Sequence, residues 1–321
     1  MSRKPTLSHI KGAMAGSAVG GALGNPSGLI TDDTQMGLFT AEGLILSKVR
    51  PDDNHGKDIV HPVFHALLRW LYTQQVHMLG DMIKSYGTCA VVDGILMGHK
   101  ELFALRNPSG TCLQVLSEGR MGTLDHLPNN ARGPGALVRT LPVGFAFPDP
   151  EAAFHEGCRT AAITHGHRDA VLSSGVFAAL ISQVVAGQPL TWALKKALDL
   201  LKSEPEHENL SAALESALSL SGSADPAPGI IDDHFQEPTA AGTLCAGVYS
   251  ALCHAGDLNR GLLLSVDHSG NIDETGAVAG ALLGGLHGFN VIPGQLLDNL
   301  ELKDVILEMA EDVYNQFHKQ E

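Results

Sequence analysis

Residues 12–24 read GAMAGSAVGGALG and are followed, after a short loop of Gly, Pro and Ser, by Thr31-Asp32-Asp33-Thr34. A second stretch with the same density of Gly and Ala, GAVAGALLGGLHG, occupies residues 276–288, directly after Asp273-Glu274-Thr275. Glycine weakens a helix but lets two backbones approach closely. We therefore predict two small-residue helices that pack together in a crowded core, and we expect this packing to bring the two acidic segments together.

Helical periodicity dominates the rest of the chain. Apolar residues recur at spacings of three and four, whereas alternating runs bounded by turn residues, which are typical of strands, are scarce. The pattern predicts an all-α fold. Helices are expected over residues 8–23, 35–48, 59–74, 78–98, 151–163, 169–187, 190–202, 207–220, 239–254, 275–287 and 302–318.

The polar breaks between these helices do not have the length or the low complexity of interdomain linkers. The clearest breaks lie at residues 51–54, 128–135 and 221–238, where Pro, Gly and Asp or Asn accumulate. We therefore expect one compact domain over residues 1–321. The longest break, residues 221–238, is predicted to be a mobile loop.

The charge balance restricts the partners of the protein. Lys and Arg number 21 against 35 Asp and Glu, which gives a formal net charge of -14. Such a surface repels nucleic acid and anionic membranes and favours cations or basic partners. The five cysteines are scattered and include no CxxC pair, which argues against a disulfide framework or a thiolate zinc site. Since the N-terminus lacks the pattern of a cleaved signal peptide, we expect reduced thiols and a cytoplasmic location.

One apolar stretch, from Ala170 to Gly187, has nearly the length of a membrane span. It contains Ser173, Ser174 and Gln183 and lacks basic and aromatic flanks. We predict a buried core helix here and no association with a membrane.

The segment Thr31-Asp32-Asp33-Thr34 supplies two carboxylates and two hydroxyls just before an apolar helix. One interpretation is helix capping, for which one side chain, Thr31 or Asp32, is enough. The other is half of a metal site, because adjacent carboxylates repel each other unless a hard divalent cation, which prefers oxygen ligands, neutralises them. This segment alone leaves both interpretations open.

A second acidic segment, residues 267–275, reads DHSGNIDET and supplies Asn271, Asp273 and Glu274. Alone, it is typical of an acidic helix N-terminus. Two such segments, each leading into an apolar helix, favour a metal site more strongly than either does alone.

Two further motifs carry groups that can contact a ligand. His165 and His167 are candidates for metal ligands, proton carriers or polar turn residues. Their spacing differs from the HExxH pattern of zinc hydrolases, and the hard carboxylates favour Mg2+ or Mn2+ over zinc. Arg139 follows the Gly-rich turn of residues 133–135, where it could bind phosphate or anchor the turn by an internal ion pair.

Taken in order, these motifs resemble the ADP-ribosylglycohydrolase family, which includes the enzyme that reactivates dinitrogenase reductase and the ADP-ribosyl-arginine hydrolases. The resemblance runs from about residue 9 to 294 and includes the Gly/Ala helix, TDDT, a loop with Thr111-Cys112, GxGAxxR, ITHxH and the late acidic segment. It implies a compact all-helical fold with two divalent cations, Mg2+ or Mn2+, at the base of a cleft for ADP-ribose.

The resemblance also implies roles for individual residues. Asp32, Asp33 and Glu274 are the candidate catalytic carboxylates. The candidate metal ligands are Thr31, Asp32, Asp33, Asn271, Asp273 and Glu274. The candidate substrate-binding residues are Asn107, Ser109, Gly110, Thr111, Gly133, Gly135, Arg139, His165 and His167.

Several positions depart from the family pattern. In the late metal motif, Asn271 stands where an aspartate is usual and Glu274 where Thr or Ser is usual, so one carboxylate is lost and another gained. We interpret this as a rearranged metal shell. Gly21, Asn107 and Pro134 also replace residues common in relatives, and several possible acid-base groups are thereby absent.

The resemblance implies a hydrolase that removes ADP-ribose from modified protein side chains, in particular from arginine, by cleaving the glycosidic bond at C1 of the ribose. An alternative of another class is a catalytically degenerate protein that binds ADP-ribose or neutralises an ADP-ribosyltransferase. A third alternative is a metal-dependent phosphohydrolase acting on another nucleotide.

Overall fold

The computed structural model describes residues 4–50, 58–75, 79–87, 93–222 and 225–319, and within these ranges it contains no β-strand, so the predicted all-α class is confirmed. Its helices are, in chain order, α1 (Leu7–Gly24), α2 (Asp32–Val49), α3 (Val60–Gln74), α4 (Leu79–Tyr86), α5 (Gly110–Ser117), α6 (Leu141–Ala146), α7 (Pro150–Ala162), α8 (Arg168–Val184), α9 (Leu190–Leu201), α10 (Glu208–Leu220), α11 (Pro228–His234), α12 (Ala240–Cys253), α13 (Leu258–Val266), α14 (Ile272–His287), α15 (Gly294–Asp298) and α16 (Lys303–Phe317).

The two small-residue helices, α1 and α14, pack against each other through their backbones. Every fourth residue of α1 from Gly12 to Gly24 is a glycine, and the glycines of α14 at the same spacing face them in antiparallel order. A Cβ atom added to Gly280 would lie 2.0 Å from the carbonyl oxygen of Gly16, and one added to Gly20 would lie 1.9 Å from that of Gly276. Only glycine allows this approach, which confirms the predicted close packing.

This crossing sets the position of both acidic segments. At the last contact, a Cβ atom on Gly24 would lie 2.5 Å from the Cα atom of Asp273, so the end of α1 touches the start of α14. The chain then turns through residues 25–30 into α2, which begins at Asp32. The backbone contact between Gly24 and Asp273 therefore holds the acidic N-terminus of α14 beside the short loop that leads to the acidic N-terminus of α2.

The other helices enclose this pair in a continuous hydrophobic core. α14 also packs against α12 and α13, and α1 packs against α16. The predicted buried helix around residues 170–187 is confirmed as α8, where every residue from Asp169 onwards is buried among α6, α7, α9 and α12. Among the described residues, no helix is both long and apolar enough to cross a membrane.

Capping side chains explain where several helices begin. Asp149 accepts a hydrogen bond from the backbone N–H of Ala152 and is followed by Pro150, a residue preorganised for the first helical position. Thr239 and Asp257 cap α12 and α13 in the same way. Of the helices that the sequence analysis did not predict, α5 and α13 each begin after such a cap.

The predicted helix over residues 78–98 is wrong at Gly87 and at residues 93–98, and residues 88–92 lie outside the described ranges. α4 ends at Tyr86, because Gly87 adopts a left-handed backbone with φ of 81°, and residues 95–98 form a short 3-10 turn. The predicted break at residues 51–54 lies outside the described residues, apart from the preceding helix end.

Residues 221–238 include the short helix α11, and residues 223 and 224 of this stretch lie outside the described ranges. The mobility of this stretch stays a prediction. Cys112, Cys158, Cys245 and Cys253 are free thiols, and Cys89 lies outside the described residues.

Candidate active site

Thr31 caps the helix that carries the first acidic segment. Its Oγ1 accepts a hydrogen bond from the N–H of Thr34 at 3.4 Å, so the capping role falls to Thr31. The carboxylates of Asp32 and Asp33 lie in the first turn of α2 and are buried, with 8% and 4% of their surfaces exposed. The capping interpretation is therefore confirmed for Thr31, and the cap leaves the two carboxylates for another purpose. The metal-site interpretation of this segment stays a prediction.

The two carboxylates have different surroundings. Asp32 Oδ2 accepts a hydrogen bond from the N–H of Ser109 at 3.0 Å. Asp33 Oδ1 is buried and has no hydrogen-bond partner within the described residues. A buried carboxylate oxygen without a partner is costly, so it marks a place where a cation or a proton is needed.

Asp273 and Glu274 lie in the first turn of α14 and face the same region. Burial raises the pKa of Asp32 to about 6, and repulsion from Asp273 adds to this shift. Burial likewise raises the pKa of Asp33 well above its ordinary value, with further contributions from Asp32 and Glu274. The pKa of Glu274 rises to about 9, again chiefly through burial and then through its hydrogen bond with Asp273. We call Asp32, Asp33, Asp273 and Glu274 the acidic cluster.

The donors of the acidic cluster suit a hard divalent cation. Every donor is a carboxylate oxygen, the ligand type that Mg2+ and Mn2+ prefer, and a cation would remove the repulsion that raises these pKa values. In the part of the chain that the structure describes, no group of three or more His, Cys, Asp or Glu side chains is arranged so that it could hold a metal ion. The fit therefore rests on the chemistry of the donors and on the unpartnered Asp33 oxygen. Asn271 occupies the N-cap position of α14, and its side chain makes no capping bond.

The loop around Ser109 and the turn of residues 133–135 meet beside the acidic cluster. Ser109 caps α5 by accepting a hydrogen bond from the N–H of Cys112 at 3.5 Å. A Cβ atom on Gly135 would lie 2.9 Å from Ser109 Oγ, so a side chain at this position would clash. Two segments predicted to bind substrate are therefore in contact, and one of them is hydrogen-bonded to Asp32.

The remaining predicted substrate residues of these segments lie close by in the chain. Asn107 is exposed in a left-handed backbone conformation with φ of 57°, which asparagine tolerates better than most residues. Gly110 is exposed at the start of α5, Thr111 follows it, and Gly133 precedes the 3-10 turn of Pro134–Ala136.

Arg139 lies beneath this surface, with none of its area exposed. Its Nη2 donates to Thr164 Oγ1 at 2.8 Å and to the carbonyl oxygen of Thr160 at 3.2 Å, and no ion pair of Arg139 is present in the described residues. The internal ion pair suggested by the sequence is thus not formed within the described residues, and a contact of Arg139 with phosphate stays a prediction. Arg139 instead anchors the end of α7.

The two histidines also have distinct positions. His165 is buried, its Nδ1 lies 2.9 Å from Thr164 Oγ1, and burial lowers its pKa to about 3, helped by repulsion from Arg139. It is therefore neutral at physiological pH. His167 is half-buried and caps α8, where its Nδ1 accepts a hydrogen bond from the N–H of Asp169 at 3.1 Å.

A cleft that was not predicted from the sequence lies beside the Gly-rich turn. This cleft has a volume of about 310 Å3, and its lining includes Arg132, Asp169, His234, Phe235 and Thr239. Its walls come from helices distant in sequence, so no local motif marks it. In the sequence, the position of Arg132 next to the predicted substrate residue Gly133 was the one feature that pointed to this cleft.

The family model described as ADP-ribosylglycohydrolase matches residues 2–321. The chain belongs to the ADP-ribosylglycohydrolase family. This confirms the resemblance drawn from the sequence motifs and places the chain in a family of glycosidic-bond hydrolases.

Two known proteins are similar to this ADP-ribosylglycohydrolase-family chain. The uncharacterised protein YegU of Escherichia coli (strain K12) is 28% identical over 211 residues, which cover 60% of this chain and 61% of YegU. The matched region thus spans less than two thirds of that relative. A solved structure described as an ADP-ribosylglycohydrolase-related protein complex aligns over 97% of this chain and 98% of its own length, with a TM-score of 0.64 and 23% identity. That likeness confirms the fold of the family member.

Proposed function

We propose that the protein is a metal-dependent hydrolase that removes ADP-ribose from modified protein side chains, in particular from arginine. The observation that carries the proposal is the acidic cluster, in which burial, with added repulsion from neighbouring carboxylates, raises the pKa values of Asp32, Asp33 and Glu274 around the unpartnered Asp33 Oδ1. Membership of the ADP-ribosylglycohydrolase family supports the class of reaction.

Two divalent cations, Mg2+ or Mn2+, would be held here. Cations bound at this place would supply orientation of the ribose hydroxyls and Lewis-acid activation of water. The residues proposed to hold them are Thr31, Asp32, Asp33, Asn271, Asp273 and Glu274. The first of these already caps α2 through its hydroxyl, which leaves its other lone pair and the neighbouring carboxylates to the ligand.

The proton of the attacking water passes to a carboxylate of the acidic cluster, Asp32, Asp33 or Glu274. A bound cation would keep these carboxylates ionised, which is the form in which they accept a proton. The guanidine of arginine leaves C1 of the ribose and takes its proton from solvent or from a neighbouring acid.

The surrounding loops are proposed to hold ADP-ribose. The backbone at the exposed residues Asn107 and Gly110 and at the half-buried Gly133 offers N–H donors to the pyrophosphate, and the cleft beside Arg132 has room for the rest of the nucleotide. The proposed substrate-binding residues also include Ser109, Thr111, Gly135 and His167. Arg139 and the neutral His165 support the loops from beneath, because both are buried. The partner is an ADP-ribosylated cytoplasmic protein.

A second candidate function is a non-catalytic one, in which the protein binds ADP-ribose or neutralises an ADP-ribosyltransferase. The side chain of Asn271, which supplies an amide where an aspartate is usual in the family, favours this candidate because it removes one charged ligand. Catalytic release of ADP-ribose would distinguish the hydrolase from the non-catalytic protein.

The test is to incubate the protein with an arginine-ADP-ribosylated protein in Mg2+ or Mn2+, with and without a chelator, and to identify the product. We expect free ADP-ribose, released only when the metal is present. The variant Asp33→Asn should lower the rate by about 100-fold, because it removes a charge from the acidic cluster while keeping its shape.

A matched control is Asp304→Asn, which makes the same change at an exposed position in the first turn of α16. It should leave the rate unchanged. Absence of metal-dependent release from any linkage would overturn the proposal in favour of the binding protein, and release of a nucleoside monophosphate would identify a phosphohydrolase.

A further inference from the structure

Asn129 joins two segments that the proposed function places around ADP-ribose, although it belongs to neither. Its side-chain Nδ2 donates to the carbonyl oxygen of Thr164 at 2.9 Å. Its Oδ1 accepts hydrogen bonds from the N–H groups of Ala131 at 2.9 Å and Gly166 at 3.1 Å. One amide therefore binds the histidine loop of residues 164–167 and, at the same time, the chain that leads into the Gly-rich turn.

Backbone contacts reinforce this connection. The N–H of His167 donates to the carbonyl oxygen of Ala131 at 3.3 Å. A Cβ atom on Gly166 would lie 2.0 Å from the backbone oxygen of Asn129, so the two loops touch directly. The carbonyl oxygen of Arg132 accepts a hydrogen bond from the N–H of Ala240 at 2.8 Å, which fixes the other end of the same short stretch.

The stretch that Asn129 holds leads to the acidic cluster through the Gly-rich turn. Gly135 lies against Ser109, and the N–H of Ser109 donates to Asp32 at 3.0 Å. A shift of residues 131–132 would therefore move the turn and loosen its contact with Ser109. The ligands of the acidic cluster itself come from α2 and α14, which this stretch does not carry.

We propose that Asn129 is a positioning residue, which fixes the Gly133–Gly135 turn relative to the histidine loop so that ADP-ribose binds in one orientation. The proposal rests on the proposed function for the identity of the ligand. Asn129 acts through the loops that it joins.

The chain offers a matched control at the next position. Asn130 is exposed, and its side chain makes no hydrogen bond within the described residues. Asn129→Ala should weaken ADP-ribose binding by about tenfold, because three hydrogen bonds that fix the turn are lost, whereas Asn130→Ala should leave it unchanged. Mn2+ affinity, measured by titration of the same variants, should be equal in both and in the wild type.

The variant Asn129→Asp separates the two halves of the contact. It keeps the oxygen that accepts from Ala131 and Gly166 but replaces the donor to Thr164 with a second oxygen. We expect it to bind ADP-ribose more tightly than Asn129→Ala and more weakly than the wild type. Unchanged ADP-ribose affinity in Asn129→Ala, no recovery in Asn129→Asp, or a parallel loss of Mn2+ affinity would overturn the proposal.

A measurement without ligand keeps this inference separate from the proposed function. The amide protons of Ala131 and Gly166 should exchange with solvent faster in Asn129→Ala than in Asn130→Ala, because they lose their acceptor. If the wild type bound no ADP-ribose, the proposed function would fail, while the exchange rates would still decide whether Asn129 joins the loops. Equal exchange in the two variants would overturn the positioning role.

Discussion

The glycine contact between α1 and α14 predicts opposite outcomes for one substitution at two helical sites. In Gly280→Ala, the added Cβ atom would lie 2.0 Å from the backbone oxygen of Gly16, where contacts under 3.0 Å essentially never occur. The helices must separate by about 1 Å, since backbone cannot turn aside as a side chain can. Gly37 in the middle of α2 is the control, because nothing lies within 4 Å of a Cβ atom there.

The size of the two effects follows from helix propensity and overpacking. Alanine is favoured over glycine within a helix by about 1 kcal/mol, and this gain applies to both variants. At position 280, overpacking opposes it by about 3 kcal/mol, so the net loss is about 2 kcal/mol. The variant Gly37→Ala should therefore gain about 1 kcal/mol, and the difference between the two should be about 3 kcal/mol.

The assay is urea unfolding of the wild type and both variants, followed by far-ultraviolet circular dichroism in the presence of a chelator, which removes any contribution from bound metal. Thermal unfolding should give the same order, with Gly280→Ala lowered by several degrees relative to wild type. Gly280→Ala at least as stable as the wild type, or an equal loss in Gly37→Ala, would refute the explanation of this crossing.

Two further predictions concern pH. In a chelator, the free energy of unfolding should fall as pH rises from about 5 to 9, because the folded pKa values of Asp32 (about 6) and Glu274 (about 9) exceed their unfolded values. Each group adds a slope of up to about 1.4 kcal/mol per pH unit, Asp32 up to about pH 6 and Glu274 up to about pH 9. Added Mn2+ should remove this decline, and a chelated protein whose stability stays flat over this range would contradict it. On the acid side, the folded pKa of His165, about 3, lies below its unfolded value, so its contribution is complete above pH 6.5 and is lost as pH falls toward 3. When urea unfolding is measured at several pH values from 4 to 7, the free energy of unfolding of His165→Asn should fall less steeply with falling pH than that of the wild type.

The parts of the fold that depend on local sequence could be predicted. The spacing of apolar residues located most helices, and the Gly/Ala density of residues 12–24 and 276–288 predicted the close contact between α1 and α14. The spacing of apolar residues and the density of Gly and Ala can each be read within a single segment of the sequence. The start of α2 could be read from Thr31 for the same reason, since a cap acts within three residues.

The parts that depend on distant partners could not be predicted. Arg139 follows a Gly-rich turn motif in the sequence, yet it is buried, and Thr160 and Thr164 from another helix end supply its acceptors. Asn129 resembles any polar residue of a loop, and its role depends on Thr164 and Gly166. Local spacing does not say which side of a turn faces the core.

The glycine contact also has a consequence for synthesis of the protein. α1 leaves the ribosome long before its main partners, α14 and α16, are made. At ordinary rates of translation, α1 waits on the order of tens of seconds for them. During that time the glycine face of α1 has no partner, and a chain that stops before residue 272 cannot build the acidic cluster at all. Activity would then appear only in chains completed through α14, so that truncated products remain inert.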